Sequence, residues 1–272
     1  PARDAIRQLF ISRIIEAKGL NILQSMTSYK IIPTPLAVLH ACELLSKGTK
    51  TQQGRGDLLA VDIGGATTDV YSMASGEPTV DNTMLKGLPE PWMKRTVEGD
   101  LGMRYSLTHV YEQIPGADNP ENEYMQQVKA WVELCTAHPD TLAAPGSEEE
   151  KLEEFLGRSA VSMAVERHCG RIADVFTPLG LMHTQEGKDL MNVPSVIGIG
   201  GVLRNSRRPE EILKGSLYDF MHPECTKPRK PKFYLDQKYI FASMGLLRSI
   251  NPELAFELLD KETVEIGCNA TV

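Results

Sequence analysis

Residues 58–73, LLAVDIGGATTDVYSM, constrain the fold of this chain more than any other stretch. Leu58, Leu59, Ala60 and Val61 form an apolar strand pattern that runs into a carboxylate, Asp62. A glycine turn at Gly64-Gly65 and two hydroxyls, Thr67 and Thr68, come next. A second carboxylate, Asp69, then opens another strand pattern, Val70-Tyr71-Ser72-Met73. Asp62 alternates with Leu58 and Ala60 on one face while Leu59, Val61 and Ile63 take the other, so the strand suits burial on both sides. A plain hairpin with solvated aspartates is the simpler reading of a bare Gly-Gly turn. It leaves a carboxylate at the end of a buried strand without a partner, which is costly. A metal or nucleotide supplies that partner. Glycines let backbone N–H groups approach a phosphate, and flanking carboxylates suit a hydrated Mg²⁺ that keeps most of its waters. The stretch reads as a strand–turn–strand phosphate clamp.

The bulk numbers exclude several classes. With 272 residues, 42% of them hydrophobic, the chain can bury one large core or two smaller ones. Its net charge of −7, from 36 acidic and 29 basic residues, argues against a nucleic-acid binder. The single basic cluster, Lys227 to Lys232, is interrupted by Pro228 and Pro231 and reads as a solvated loop. Five scattered cysteines (Cys42, Cys135, Cys169, Cys225, Cys268) suggest neither a disulfide framework nor a zinc site, and fit a reducing compartment. No apolar run approaches the ~18–20 residues of a membrane span, so a cytoplasmic protein with no membrane partner is expected. The start, Pro1-Ala2-Arg3-Asp4, has no initiator Met and leads straight into a helical pattern, as in a piece of a longer protein.

Ile6, Leu9, Phe10, Ile14 and Ala17 recur at helical spacing, with Gly19 as a stop, and Leu20 to Ile32 has room for a short strand. A second helix is expected from Thr34 as cap, through Pro35 at its first position, to Gly48, buried along Val38, Ala41, Cys42 and Leu45. From about Pro89 to Asp189 strand signals fade. Helices are expected around Glu121–Thr136 and Glu148–Val175, the latter opened by a Ser147/Glu150 capping box. Val196-Ile197-Gly198-Ile199-Gly200-Gly201 returns to strand and again ends in Gly-Gly. Pro209-Glu210-Glu211 opens a helix, and helices at about Lys238–Arg248 and Pro252–Leu259 close the chain.

VIGIGG alone also fits a plain tight strand-to-helix turn. In a nucleotide fold it lets a nucleoside lie against backbone at Gly200 and Gly201, with Arg204 placed to stack on the base. Glu98-Gly99-Asp100-Leu101-Gly102 is a third acid-and-glycine cluster: a helix cap with a flexible approach, or a place where Asp100 and the Gly102 backbone meet the nucleotide. His168, on a helical pattern with Met163 and Val165, reads as a satisfied structural histidine.

In this order the residues resemble the actin/sugar-kinase/heat-shock-chaperone ATPase superfamily. DIGGATTD at 62–69 is similar to its second phosphate motif, IIPTPLAVLHACELL at 31–45 to its connecting helix, VEGDLG at 97–102 to the loop that follows, and IGIGGVLRN at 197–205 to its adenosine motif. Ala66 departs from the pattern, since the chaperones often carry a third glycine there. Within the superfamily, AKGLN at 17–21, PTPLAVL at 33–39, VEGDLGMR, ERHCGR at 166–171, GKDL at 187–190 and YIFASMGLL at 239–247 resemble the glutamate mutase accessory protein family, often called MutL or GlmL.

The resemblance implies an α/β fold: a ribonuclease-H-like, actin-type ATPase domain with a mixed sheet and an inserted helical subdomain. Residues 1–56 would end a first subdomain, 57–89 and 190–272 would form the second, and 90–189 the helical insertion. It implies ATP and Mg²⁺ as cofactors and an adenosylcobalamin-dependent mutase or aminomutase as partner, reactivated by exchange of damaged cofactor. Position by position, Asp62 would be catalytic and a ligand of Mg²⁺ or its water, and Asp69 would hold Mg²⁺ through water. Gly64, Gly65, Thr67 and Thr68 would hold phosphate, with Asp100, Gly102, Gly200, Gly201 and Arg204 also around the nucleotide. A small-molecule kinase and a non-catalytic nucleotide-binding scaffold are the alternatives on the same fold. No first phosphate loop occurs in this sequence, so these residues alone are expected to bind ATP weakly and hydrolyse it negligibly.

Overall fold

The computed structural model describes Leu9 and residues 31–178 and 180–267. In chain order the elements are α1 (Thr34–Lys47), β1 (Leu58–Ile63), β2 (Thr68–Met73), β3 (Thr83–Lys86), β4 (Met93–Glu98), α2 (Leu107–Glu112), α3 (Glu123–Ala137) and α4 (Glu148–His168). There follow β5 (Arg171–Thr177), β6 (Gly180–Glu186), β7 (Ser195–Ile199), α5 (Gly201–Asn205), α6 (Pro209–Leu213), β8 (Lys232–Asp236), α7 (Phe241–Leu247), α8 (Pro252–Glu262) and β9 (Thr263–Ile266). The expected N-terminal helix and the possible strand in Leu20–Ile32 lie, apart from Leu9 and the last two positions, outside the described residues.

The chain is a mixed α/β protein. Its main sheet has six strands in the order β4-β2-β1-β7-β8-β9. β4, β2 and β1 are antiparallel, β7 and β8 run parallel to β1, and β9 returns antiparallel. The period-2 alternation read in LLAVDI builds a core on each face. Leu59, Val61, Ile63 and Val70 pack with Leu107, Val128, Leu156 and Val161 of α2–α4 on one side. Leu58, Ala60, Tyr71 and Met73 pack with Val38, Cys42 and Leu45 of α1, Phe241 of α7 and Phe256 of α8 on the other. α1 and α7 approach so closely that a Cβ on Gly245 would collide with the Ala37 carbonyl.

Four expectations need correction. Segment 90–189 is not a mostly helical insertion: it carries α2, α3 and α4, but β4 at its start completes the main sheet beside β2. At its end the expected helix over Glu148–Val175 stops at His168, with Cys169 as its C-cap, and residues 171–177 are strand. The β-branched and aromatic residues Ile172, Val175 and Phe176 favour that outcome over helix. β5 and β6 form a hairpin, and β3 joins it in parallel as a separate three-stranded sheet. Thr34 does not cap α1 through its side chain; Pro33 occupies that position. The Ser147 cap of α4 does form, Oγ accepting from Glu150 N at 3.3 Å, while Glu150 Oε2 accepts from Gly146 N. Lys227 is not in a solvated loop but buried, donating to Ser162 Oγ at 2.9 Å. No described helix is long and apolar enough to cross a membrane.

Candidate functional site

The carboxyl ends of β1, β7 and β8 meet the amino end of β2, and the space these ends border is called the cleft. Asp62 is the register partner of Asp69 across β1–β2 and of Ile199 across β1–β7. The next residue after Ile199, Gly200, crosses so close to β1 that a Cβ would strike the Ile63 carbonyl and lie 2.7 Å from Asp62 Oδ1. Gly200 also has φ 101° and ψ 159°, a conformation closed to residues with a side chain. The two glycine turns expected from sequence therefore share one site.

The first turn presents a one-sided backbone. Its carbonyls are all engaged: Gly64 O accepts from Met103 N at 3.0 Å, Gly65 O from Arg104 N and Tyr105 N at 2.8 Å each, and Ala66 O from Ser106 Oγ at 2.9 Å. Among the described residues the N–H groups of Gly65, Ala66 and Thr67 have no partner. Unpaired N–H groups on consecutive residues of a turn favour an anion. Gly102 is required for this arrangement, because a Cβ there would run into the Ala66 backbone.

Asp62 is the electrostatic centre of the cleft. Burial, reinforced by Asp69 and Asp236, pushes its carboxyl up to about 6, against the pull of Arg95. No hydrogen-bond donor reaches it among the described residues, whereas Asp69 is held by Arg95, with Nη2 at 2.6 Å and Nε at 2.8 Å from Oδ1. Asp236, at the end of β8, accepts from Ile240 N and Phe241 N at 3.0 and 3.1 Å and caps the start of α7. Burial and the nearby carboxylates also raise Cys42 and Tyr71. The Tyr71 hydroxyl is fully buried and has no partner among the described residues. Tyr239 has φ 57°, a backbone conformation that costs a bulky residue about 1–2 kcal/mol.

Of the residues expected in the site, Asp62, Gly64, Gly65, Thr67, Asp69 and Gly200 surround the cleft, and Gly201 begins α5 directly behind it. Thr67 Oγ1 lies 3.5 Å from Asp69 Oδ2. Thr68 is buried and its hydroxyl is committed to Leu101 O at 2.5 Å, so it fastens the loop rather than facing the cleft. Asp100 is turned toward α4. Hydrogen bonding from Arg167, at 2.8 and 2.9 Å, holds its carboxyl down at about 2. Arg204 donates from Nε to Gln237 O at 3.2 Å and borders a cavity of about 470 Å³ lined also by Ser206, Lys214, Gln237 and Ile266. His168 sits on the opposite face of the sheet, between Ser72 Oγ at 2.8 Å and Thr96 Oγ1 at 2.9 Å, with burial holding it well below the usual histidine range. Arg95, Asp236 and Tyr239 were not anticipated. Arg95 and Asp236 reach it through strand pairing, and Tyr239 opens the YIFASMGLL stretch, to which the sequence assigned no site role.

The fold and site together define a mixed α/β protein with a carboxylate-and-glycine cleft at the carboxyl edge of its main sheet. The chain belongs to the MutL protein family: the family model matches residues 1–263. It is 44% identical over 269 residues to Protein MutL of Clostridium tetanomorphum, an alignment covering 98% of this chain and 58% of that protein. The chain thus spans well under two thirds of the length of this relative, and the family expected from the order of the motifs is the one found.

Proposed function

We propose that these residues form the second half of the nucleotide site of an ATP-dependent reactivating factor, whose partner is an adenosylcobalamin-dependent mutase such as glutamate mutase. The observation that carries this reading is the convergence of the Gly64-Gly65 turn and Gly200 on Asp62. Two backbone surfaces able to hold the ends of one nucleotide there flank a carboxylate that lacks a protein partner. The sheet supports it: three antiparallel strands followed by two parallel ones is the order expected of a ribonuclease-H-like, actin-type ATPase domain.

The donor set fits Mg²⁺. Asp62 and Asp69 offer only carboxylate oxygens, and among the described residues no cluster of three or more His, Cys, Asp or Glu converges on a point. That suits an ion that retains most of its waters. When bound, Mg²⁺ would neutralise charge on the phosphates. The unpaired N–H groups of Gly65, Ala66 and Thr67 would hold phosphate oxygens, and Arg95 would fix the Asp69 carboxylate. Asp62, the carboxylate with no donor, would orient or deprotonate the attacking water. Gly200 and Gly201 would leave room for the nucleoside, with Arg204 at its edge.

The test uses the full-length protein. Mg²⁺-dependent release of phosphate from ATP, without an added acceptor and faster in the presence of a cobalamin-dependent mutase, is expected. Phosphoryl transfer that requires a small-molecule acceptor would make the protein a kinase instead, and absence of nucleotide binding would leave a scaffold. These 272 residues alone supply one phosphate turn, so their own turnover should be on the order of a thousandfold lower.

A further inference from the structure

The short connection from β8 to α7, residues 237–240, runs into the YIFASMGLL stretch that begins at Tyr239, to which the sequence assigned no site role, yet it borders the cleft. It is fixed at several points. Asp236 accepts from Ile240 N and Phe241 N, and Arg204 donates to Gln237 O at 3.2 Å. Tyr239 N approaches Asp236 O at 3.3 Å. This pinning holds Tyr239 at φ 57°, which an aromatic residue seldom adopts and glycine or asparagine adopts readily. The ring does not repay the strain by packing, since Tyr239 is 55% exposed. It lies within electrostatic reach of both Asp62 and Asp236. Strain held by the surrounding fold and not offset by packing is characteristic of residues that meet a ligand.

We propose that Tyr239 is a ligand-contacting residue of this cleft, its hydroxyl donating to a phosphate oxygen of the nucleotide held between the Gly64-Gly65 turn and Gly200. The inference rests on the nucleotide reading given above. It adds a contact from the β8–α7 connection to the two glycine turns, so the ligand is gripped from three separate segments of the chain.

The experiment compares wild type, Tyr239→Phe and Tyr239→Gly in the full-length protein. Affinity for Mg-ADP and Mg-ATP is measured by calorimetric titration, and thermal unfolding is followed without nucleotide. Both variants should bind nucleotide at least about fivefold more weakly, the loss of roughly one hydrogen bond. Tyr239→Phe should melt like wild type, and Tyr239→Gly at the same temperature or higher, because glycine relieves the backbone. Tyr239→Phe binding as tightly as wild type would overturn the proposal. So would an affinity loss that only follows a fall in melting temperature. A wild type that binds no nucleotide overturns both this inference and the nucleotide reading, whereas equal binding by all three proteins overturns this inference alone.

Discussion

The two sheets of this protein are built from similar residue types and live under opposite conditions. In the main sheet, β2 is buried at every position and β1 at all but Asp62, with helices against both faces. In the small sheet β3–β6–β5 most positions are exposed, and Phe176 is 86% exposed. The difference shows where precision is stored. A carboxylate pair such as Asp62 and Asp69 can be held in register only by strands that cannot slide, and burial on both faces prevents sliding. The small sheet carries no such group. It joins the main body through polar contacts: Gln185 Nε2 to Gly76 O at 2.8 Å, Thr79 to Asp189, and Lys188, which is fully buried and donates to Pro91 O and Trp92 O at 3.0 and 2.6 Å and to Ser72 Oγ at 3.2 Å.

If that contrast holds, substitutions should separate by sheet. The largest effect should come from Gly200→Val, which forces a branched side chain into the Ile63 carbonyl at a φ only glycine tolerates. A loss of about 4 kcal/mol or more is expected in denaturant unfolding. Stability near wild type would mean that the β1–β7 crossing is slack. At the joint between the sheets, Lys188→Met should cost about 3 kcal/mol by leaving buried acceptors unpaired. Burial and Lys94 hold Lys188 down at about 8 from an ordinary 10.5. Its titration therefore adds stability as pH rises from about 8 to about 10.5 and removes it as pH falls through about 8, a slope that the methionine variant should lack.

Asp62→Asn should act in the opposite direction. Because the folded carboxyl titrates near 6, above its ordinary value of 3.8, its contribution to stability is complete below about 4 and lost as pH rises through about 6. At pH 7 the asparagine variant should be more stable by about 2 kcal/mol. If the proposed function holds, Mg²⁺-dependent ATP hydrolysis by the full-length variant should fall further than its nucleotide binding. Unchanged stability across pH 4–7 would show that Asp62 is solvated. The smallest effect belongs to the exposed sheet: Phe176→Ser should change unfolding free energy by no more than about 0.5 kcal/mol. A large loss there would mean that the small sheet is packed more tightly than its exposure indicates.

What could be read from the sequence follows the same division. The β1–β2 hairpin, the strand before Gly200, α1 with its early proline and α4 with its serine cap all carry local signals: alternation, turn glycines, caps. β4, with alternating Lys94, Thr96 and Glu98, has too little apolar content to announce itself and forms because β2 offers it an edge. β5 and β6 were hidden because ERHCGRIADVF extends a helical pattern past His168, and the break comes from tertiary pairing with β6 and with Glu224, whose carbonyl takes Ile172 N at 2.8 Å. In the site, Asp62, the first turn and Gly200 were legible as strand ends. Thr68 and Asp100 were legible as residues near the turn, but not in their partners, because those partners are Leu101 and Arg167. Arg95 and Asp236 needed the sheet order to bring them to Asp62.

The Gly64–Thr67 turn has engaged its carbonyls and left the N–H groups of Gly65, Ala66 and Thr67 without a partner among the described residues. Every carbonyl from Gly64 to Ala66 is occupied by the segment Met103–Ser106, so what remains outward is a row of positive hydrogens. On the proposed function the turn would sort ligands by sign of charge, and would do so with main-chain atoms. Exchanging side chains at 66 or 67 would leave that sorting intact. A proline at position 103 would not, because it deletes the N–H that occupies Gly64 O and returns an electron-rich oxygen to the rim. The sign selectivity of the cleft is thus written about forty residues downstream of the turn that displays it, in the loop where Gly102 lets the two backbones touch.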